Sequence, residues 1–134
     1  VADFITNVSQ LEPVYLNAGD DLPAILLDVT AKSTGLPVNF LDPNALWTTP
    51  TFSLRRGWDL SGSPAIALAT AVFDPDVTGR LRYDWFDGDT DALGDPDPDH
   101  FYVATFRCFD PSGREATFPA DVNRIVVFIL PAIA

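Results

Sequence analysis

The chain has 134 residues, 47% hydrophobic and 12% aromatic, enough for one domain with a packed core and too much for disorder as a description of the whole. Eight Lys and Arg stand against 19 Asp and Glu, a formal charge of -11 that repels phosphate backbones and anionic headgroups and so argues against nucleic-acid and membrane partners. The longest apolar stretches, such as Ile125 to Ala134, are too short for a membrane span, and no basic segment followed by an apolar one signals a leader peptide.

Twelve prolines and eight glycines interrupt the chain too often for long helices, and no window holds a 3.6-residue apolar period, so short strands are predicted throughout. Residues 1–13 alternate weakly and end at Pro13, which reads as an arm or an edge strand ahead of a single β-sandwich domain over residues 14–134. Ala24–Ala31 reads as a strand and Ser33–Pro37 as the turn after it. Leu36–Leu46 is ambiguous, with a turn or short helical turn at Asp42–Asn44. Thr51–Arg56 sets Phe52 and Leu54 against Ser53 and Arg55, the pattern of a half-exposed strand. Ala65–Phe73 is an apolar run of strand length between turn signals, and Asp74–Gly79 is a hairpin loop.

The cleanest two-residue period follows: Leu81, Tyr83 and Trp85 share one face, Arg80, Arg82 and Asp84 the other. Phe101–Phe109 is apolar on both faces, which predicts a central strand. Tyr102 at its start is either a core residue or a corner tyrosine whose hydroxyl bonds nearby backbone. Asp110–Gly113 is a hairpin turn into Arg114–Phe118, and Ile125–Leu130 is the last strand. The result is an all-β, antiparallel sandwich of about seven to eight strands.

Little in the chain points to chemistry. Asp87, Asp89 and Asp91 are spaced like the first carboxylates of an EF-hand loop, so calcium is the cofactor to consider. The pattern then breaks, because Ala92 replaces the turn glycine and Pro98 the bidentate glutamate. The alternative is a solvated acidic loop in which Asp89 or Asp91 caps a turn through backbone N–H groups. Cys108, the one cysteine, reads as a buried structural thiol. There is no Gly-x-Ser-x-Gly element, zinc pattern or phosphate loop, and the expectation is a protein that is not an enzyme. Arg55 and Arg56 with Trp58 form a basic–aromatic pair suited to a contact patch.

Several elements taken together carry a resemblance. They are Gly19–Pro23 leading into Ala24–Ala31, the turn Gly35–Val38, Phe52–Arg55, Gly79–Trp85, Gly88–Asp91, Tyr102-x-Ala104-x-Phe106, the Gly113 hairpin and Thr117–Pro119. In order and spacing this set resembles the N-terminal domain of phage baseplate upper proteins, an immunoglobulin-like β-sandwich that recurs in tailed-phage virions. Two departures are the acidic insertion Asp95–Asp99 and the apolar tail Ile125–Ala134.

The resemblance implies a structural virion component, made in the host cytoplasm and located in the tail or baseplate. It would bind other phage virion proteins in a symmetric assembly of multiple copies. A capsid decoration protein or head-fibre base, and a cellular carbohydrate-binding or adhesion module, are the alternatives. The interface candidates are Phe4, Ile5, Val8, Trp47, Arg55, Arg56, Trp58 and Ile133, with order gained on assembly expected at both ends.

Overall fold

Alternation of apolar and polar side chains decides which face of each strand turns inward, and that rule organises the whole molecule. The computed structural model of the chain describes residues 4–8, 13–20, 23–31, 33–44, 46–57, 64–86, 88–94, 100–119 and 124–131. Among the described residues there are ten strands and no helix: β1 (Phe4–Val8), β2 (Val14–Asn17), β3 (Ile25–Ala31), β4 (Thr51–Arg56), β5 (Ile66–Thr70), β6 (Val72–Phe73), β7 (Arg80–Tyr83), β8 (Tyr102–Phe109), β9 (Glu115–Phe118) and β10 (Ile125–Leu130).

They form two sheets, the architecture of a β-sandwich. One has the order β1-β3-β7-β6; the other has the order β2-β10-β8-β4-β5, with β9 paired to β8. Strand β8 is the centre of the larger sheet, between β4 on one side and β10 and β9 on the other. Its two-sided apolar pattern predicts this place. Tyr102, Ala104, Phe106 and Cys108 turn into the core, and Val103 is only 1% exposed on the opposite face.

The core lies between the sheets. Phe52 and Leu54 of β4 and Phe106 of β8 meet Leu27 of β3 and Leu81 and Tyr83 of β7, all fully buried. Each such side chain contributes about 1.5–3 kcal/mol by leaving water. On the outer face of the smaller sheet, β3 and β7 are joined across the pair Asp28↔Arg80. Arg80 Nε donates to Asp28 Oδ1 at 2.8 Å and Nη2 to Oδ2 at 3.2 Å, and this hydrogen-bonded carboxylate raises the arginine pKa.

Three features differ from the sequence expectation. The run Ala65–Phe73 is two strands, not one: β5 belongs to the larger sheet and β6 to the smaller. The chain changes sheets at Ala71, a side chain small enough to be buried (1% exposed) at the crossing. Second, Val14–Asn17 is a strand, and it pairs with β10 in parallel, the exception among antiparallel pairs. Its four residues are too few for alternation to announce it. Third, β4 is interior to its sheet, and Ser53 is 6% exposed, not half-exposed. A register shift between Phe52 and Leu54 lets Ser53 Oγ accept the Leu68 N–H at 3.1 Å.

Phe4–Val8 is an edge strand, paired with β3 from Phe4↔Ala31 to Val8↔Leu27. In the β6–β7 hairpin, Gly79 has φ +84 and its carbonyl accepts from Val29 N at 2.8 Å. A Cβ there would stand 2.8 Å from Val29 O and 2.9 Å from Pro37 Cβ, so only glycine allows this approach.

Candidate functional site

The described part of the acidic crossover after β7, residues 84–86 and 88–94, is a set of turns held from inside. The Tyr83 hydroxyl donates to Asp89 Oδ2, and the same oxygen accepts the Phe86 N–H at 2.9 Å. Asp89 therefore caps the turn it closes. Thr90, 1% exposed, accepts the Gly19 N–H at 2.8 Å and donates to Asp20 O at 3.4 Å, which ties the crossover to the turn after β2. Burial, reinforced by the Asp89 carboxylate, pushes the Tyr83 pKa upward. Among the described residues no three His, Cys, Asp or Glu side chains group as metal ligands would. Asp91 lies in the same turn region, and Asp87 is outside the described residues.

Among the described residues, the interface candidates fall on separate parts of the fold. Phe4, Ile5 and Val8 are on β1, at the free edge of the smaller sheet. Trp47 is half-buried with its ring edge-on to Phe40, centroids 5.0 Å apart. Next to it, Thr48 N donates to Phe109 O at 3.1 Å. Arg55 and Arg56 lie opposite Val103 and Tyr102, at the other end of β8. The length of that strand, roughly 20 Å, separates them from Trp47. Arg55 and Arg56 also turn to opposite faces, as neighbours on a strand must. Trp58 and Ile133 are outside the described residues. Trp85 is core: 5% exposed, its indole N–H donates to Pro23 O at 2.8 Å.

The distinctive surface is the outer face of the larger sheet. Tyr15, 58% exposed on β2, stacks on Phe128 of β10 with ring centroids 5.1 Å apart and planes at 11°. Phe101 lies 6.2 Å from Phe128. Val126 is opposite Val103 on the same face, and Leu130 is exposed at the end of β10. At the far corner Thr49, Thr51, Leu68, Arg107 and Phe109 line a shallow groove of about 240 Å³. Arg107 lies over the Phe109 ring at 5.4 Å and pairs with Glu115, Nε to Oε1 at 3.0 Å. Sequence reasoning missed Tyr15, Phe101 and Phe128 as surface residues. The signal was available in Ile125–Leu130, apolar at every position and hence on both faces.

Charge follows the same division. Asp28 and Glu115 are the acidic residues within the ten strands, while Arg55, Arg56, Arg80, Arg82 and Arg107 are the basic ones. The carboxylates that make the chain acidic thus fall outside the named strands. Cys108 beneath the groove is buried, and its pKa is pushed up to about 12 by that burial and by the nearby Asp110 charge, which makes it a poor nucleophile. The chain matches no model of a known protein family and no curated protein.

Proposed function

We propose that the chain is a non-enzymatic structural component of a tailed-phage virion, a tail or baseplate attachment module that binds neighbouring virion proteins. The observation that carries this reading is the aromatic outer face of the larger sheet, where Tyr15 is 58% exposed beside Phe128. A sheet packed on one side ordinarily shows polar residues on the other. An apolar outer face suits a protein that works by contact.

The immunoglobulin-like part of the reading draws support from strand order. The sequence β1-β3-β7-β6 facing β10-β8-β4-β5 follows the arrangement A-B-E-D over G-F-C-C′. The Tyr102 hydroxyl donates to Leu93 O at 3.3 Å, as a corner tyrosine would. The groups most able to do chemistry are engaged in structure: Asp89 by Tyr83 and the Phe86 N–H, Cys108 by burial.

Cryo-electron microscopy of purified particles, with the chain traced into density, tests the proposal. Density at the tail or baseplate is expected. Density on the capsid moves the chain to a decoration or head-fibre base, and absence from all particles overturns the virion reading.

A further inference from the structure

We propose that the outer face of the larger sheet is a self-association surface, covered in solution by the same face of a second copy of this chain. The inference does not rest on the virion reading. Charge comes first. Two chains of formal charge -11 repel, and they meet most easily where neither presents uncompensated carboxylates. On the strands of the larger sheet Glu115 is the acidic residue, and Arg107 neutralises it. The smaller sheet's outer face carries two ion pairs, Asp28–Arg80 and Arg82–Asp84, against the single Arg107–Glu115 pair of the larger sheet, so a contact there would desolvate more charge.

Shape comes second. The face has a ridge at one corner, built by Tyr15 and Phe128. It has a groove at another, where Leu68 and Phe109 meet Thr51. Along β8 the ridge lies beside Phe101 and the groove beside Arg107 and Phe109, so the two are diagonal across the sheet. A two-fold axis lying in the face, perpendicular to that diagonal, sets the ridge of each copy into the groove of the other. This is the self-complementarity that an isologous contact requires.

Size sets the strength. Five strands about 4.8 Å apart and roughly 20 Å long give a face of at most about 400 Å² in plan, with its middle already closed around Val103 and Ser53, 1% and 6% exposed. That is about half of the roughly 800 Å² per partner of a standard interface, so the dimer is weak and reversible.

Sedimentation velocity of the full chain over a concentration series tests this. A monomer–dimer equilibrium is expected, and it tightens as salt rises from about 0.05 to 0.5 M, because salt screens the repulsion and leaves the apolar contact. Tyr15→Arg, which sets a cation against Arg107 of the other copy, weakens the dimer at least tenfold, and so does Leu68→Arg in the groove. Val72→Arg, on the smaller sheet and 44% exposed, leaves it unchanged. Near-UV circular dichroism verifies that each variant is folded, and the wild-type salt response stands even if one is not. A monomer at every concentration, a dimer that salt weakens, or a dimer sensitive to Val72→Arg but not to Tyr15→Arg overturns the proposal.

Discussion

The ring of Tyr83 lies flat on the ring of Phe52, centroids 3.9 Å apart and planes at 5°, and this pair joins the two sheets at the middle of the core. Phe52 also meets Phe106 and Trp85 edge-on at 5.4 and 5.8 Å. Phe52→Ala therefore leaves a cavity lined by aromatic rings and is expected to cost about 3–5 kcal/mol in urea unfolding. Tyr83→Phe keeps the stack and removes the donor to Asp89, at about 1–2 kcal/mol. A double-mutant cycle with Asp89→Ala should return a coupling of about 0.5–3 kcal/mol, and additivity would show that the clasp carries no stability.

Stability should fall at alkaline pH. Cys108 is raised to about 12 and Tyr83 is raised as well, so both stay protonated in the fold where the unfolded chain has ionised them. The unfolded state then binds fewer protons, and the unfolding free energy declines as pH rises above about 9. Urea midpoints between pH 7 and 11 measure the slope, and Cys108→Ala should make it shallower. The same burial predicts that thiol reagents label the folded protein far more slowly than the unfolded one.

The opposite sign holds at Asp110. Its carboxylate accepts the Ser112 hydroxyl at 2.7 Å, the Arg114 N–H at 2.8 Å and the Arg114 guanidinium at 3.0 Å, and these hold its pKa below the ordinary carboxylate value. Its contribution is present above that ordinary value and lost as pH falls through the lowered one. Melting temperatures from pH 5 to pH 2 should show a smaller decline for Asp110→Ala than for the wild type.

Gly79→Ala should be among the most damaging single-atom changes. The new methyl meets backbone at 2.8 Å and must adopt φ +84. A loss of at least about 2 kcal/mol is expected in chemical denaturation. A loss below about 0.5 kcal/mol would mean that the β6–β7 hairpin shifts freely.

Millimolar calcium is expected to leave the melting temperature unchanged, because Asp89 is already committed to Tyr83 and to the Phe86 N–H. A rise of several degrees would show that the loop of Asp87, Asp89 and Asp91 takes the ion, since a ligand bound to the fold alone stabilises it.

The sequence made legible what is local. The period of Leu81, Tyr83 and Trp85 placed three buried side chains on one face. The residues Asp110–Gly113 specified a turn closed by a 2.9 Å bond from Gly113 N to Asp110 O. Pairing between distant strands was not legible. Nothing in Ile66–Phe73 marks the change of sheet at Ala71, because both sheets reward the same apolar residues. The aromatic ridge was hidden for a related reason: Tyr15 and Phe128 are far apart in sequence, and the parallel pairing of β2 with β10 alone makes them neighbours.

That parallel pairing has a mechanical consequence. The strands run side by side from Val14↔Val127 to Asn17↔Leu130, and Ala18 N extends the ladder to Leu130 O at 2.7 Å. Tension applied at Val14 and at Leu130 in opposite directions pulls across these bonds and not along them. They must then fail together, in shear, where an antiparallel hairpin pulled at its open end would unzip one bond at a time. The order of four residues thus places a shear-resistant clamp between the first strand of the larger sheet and its last.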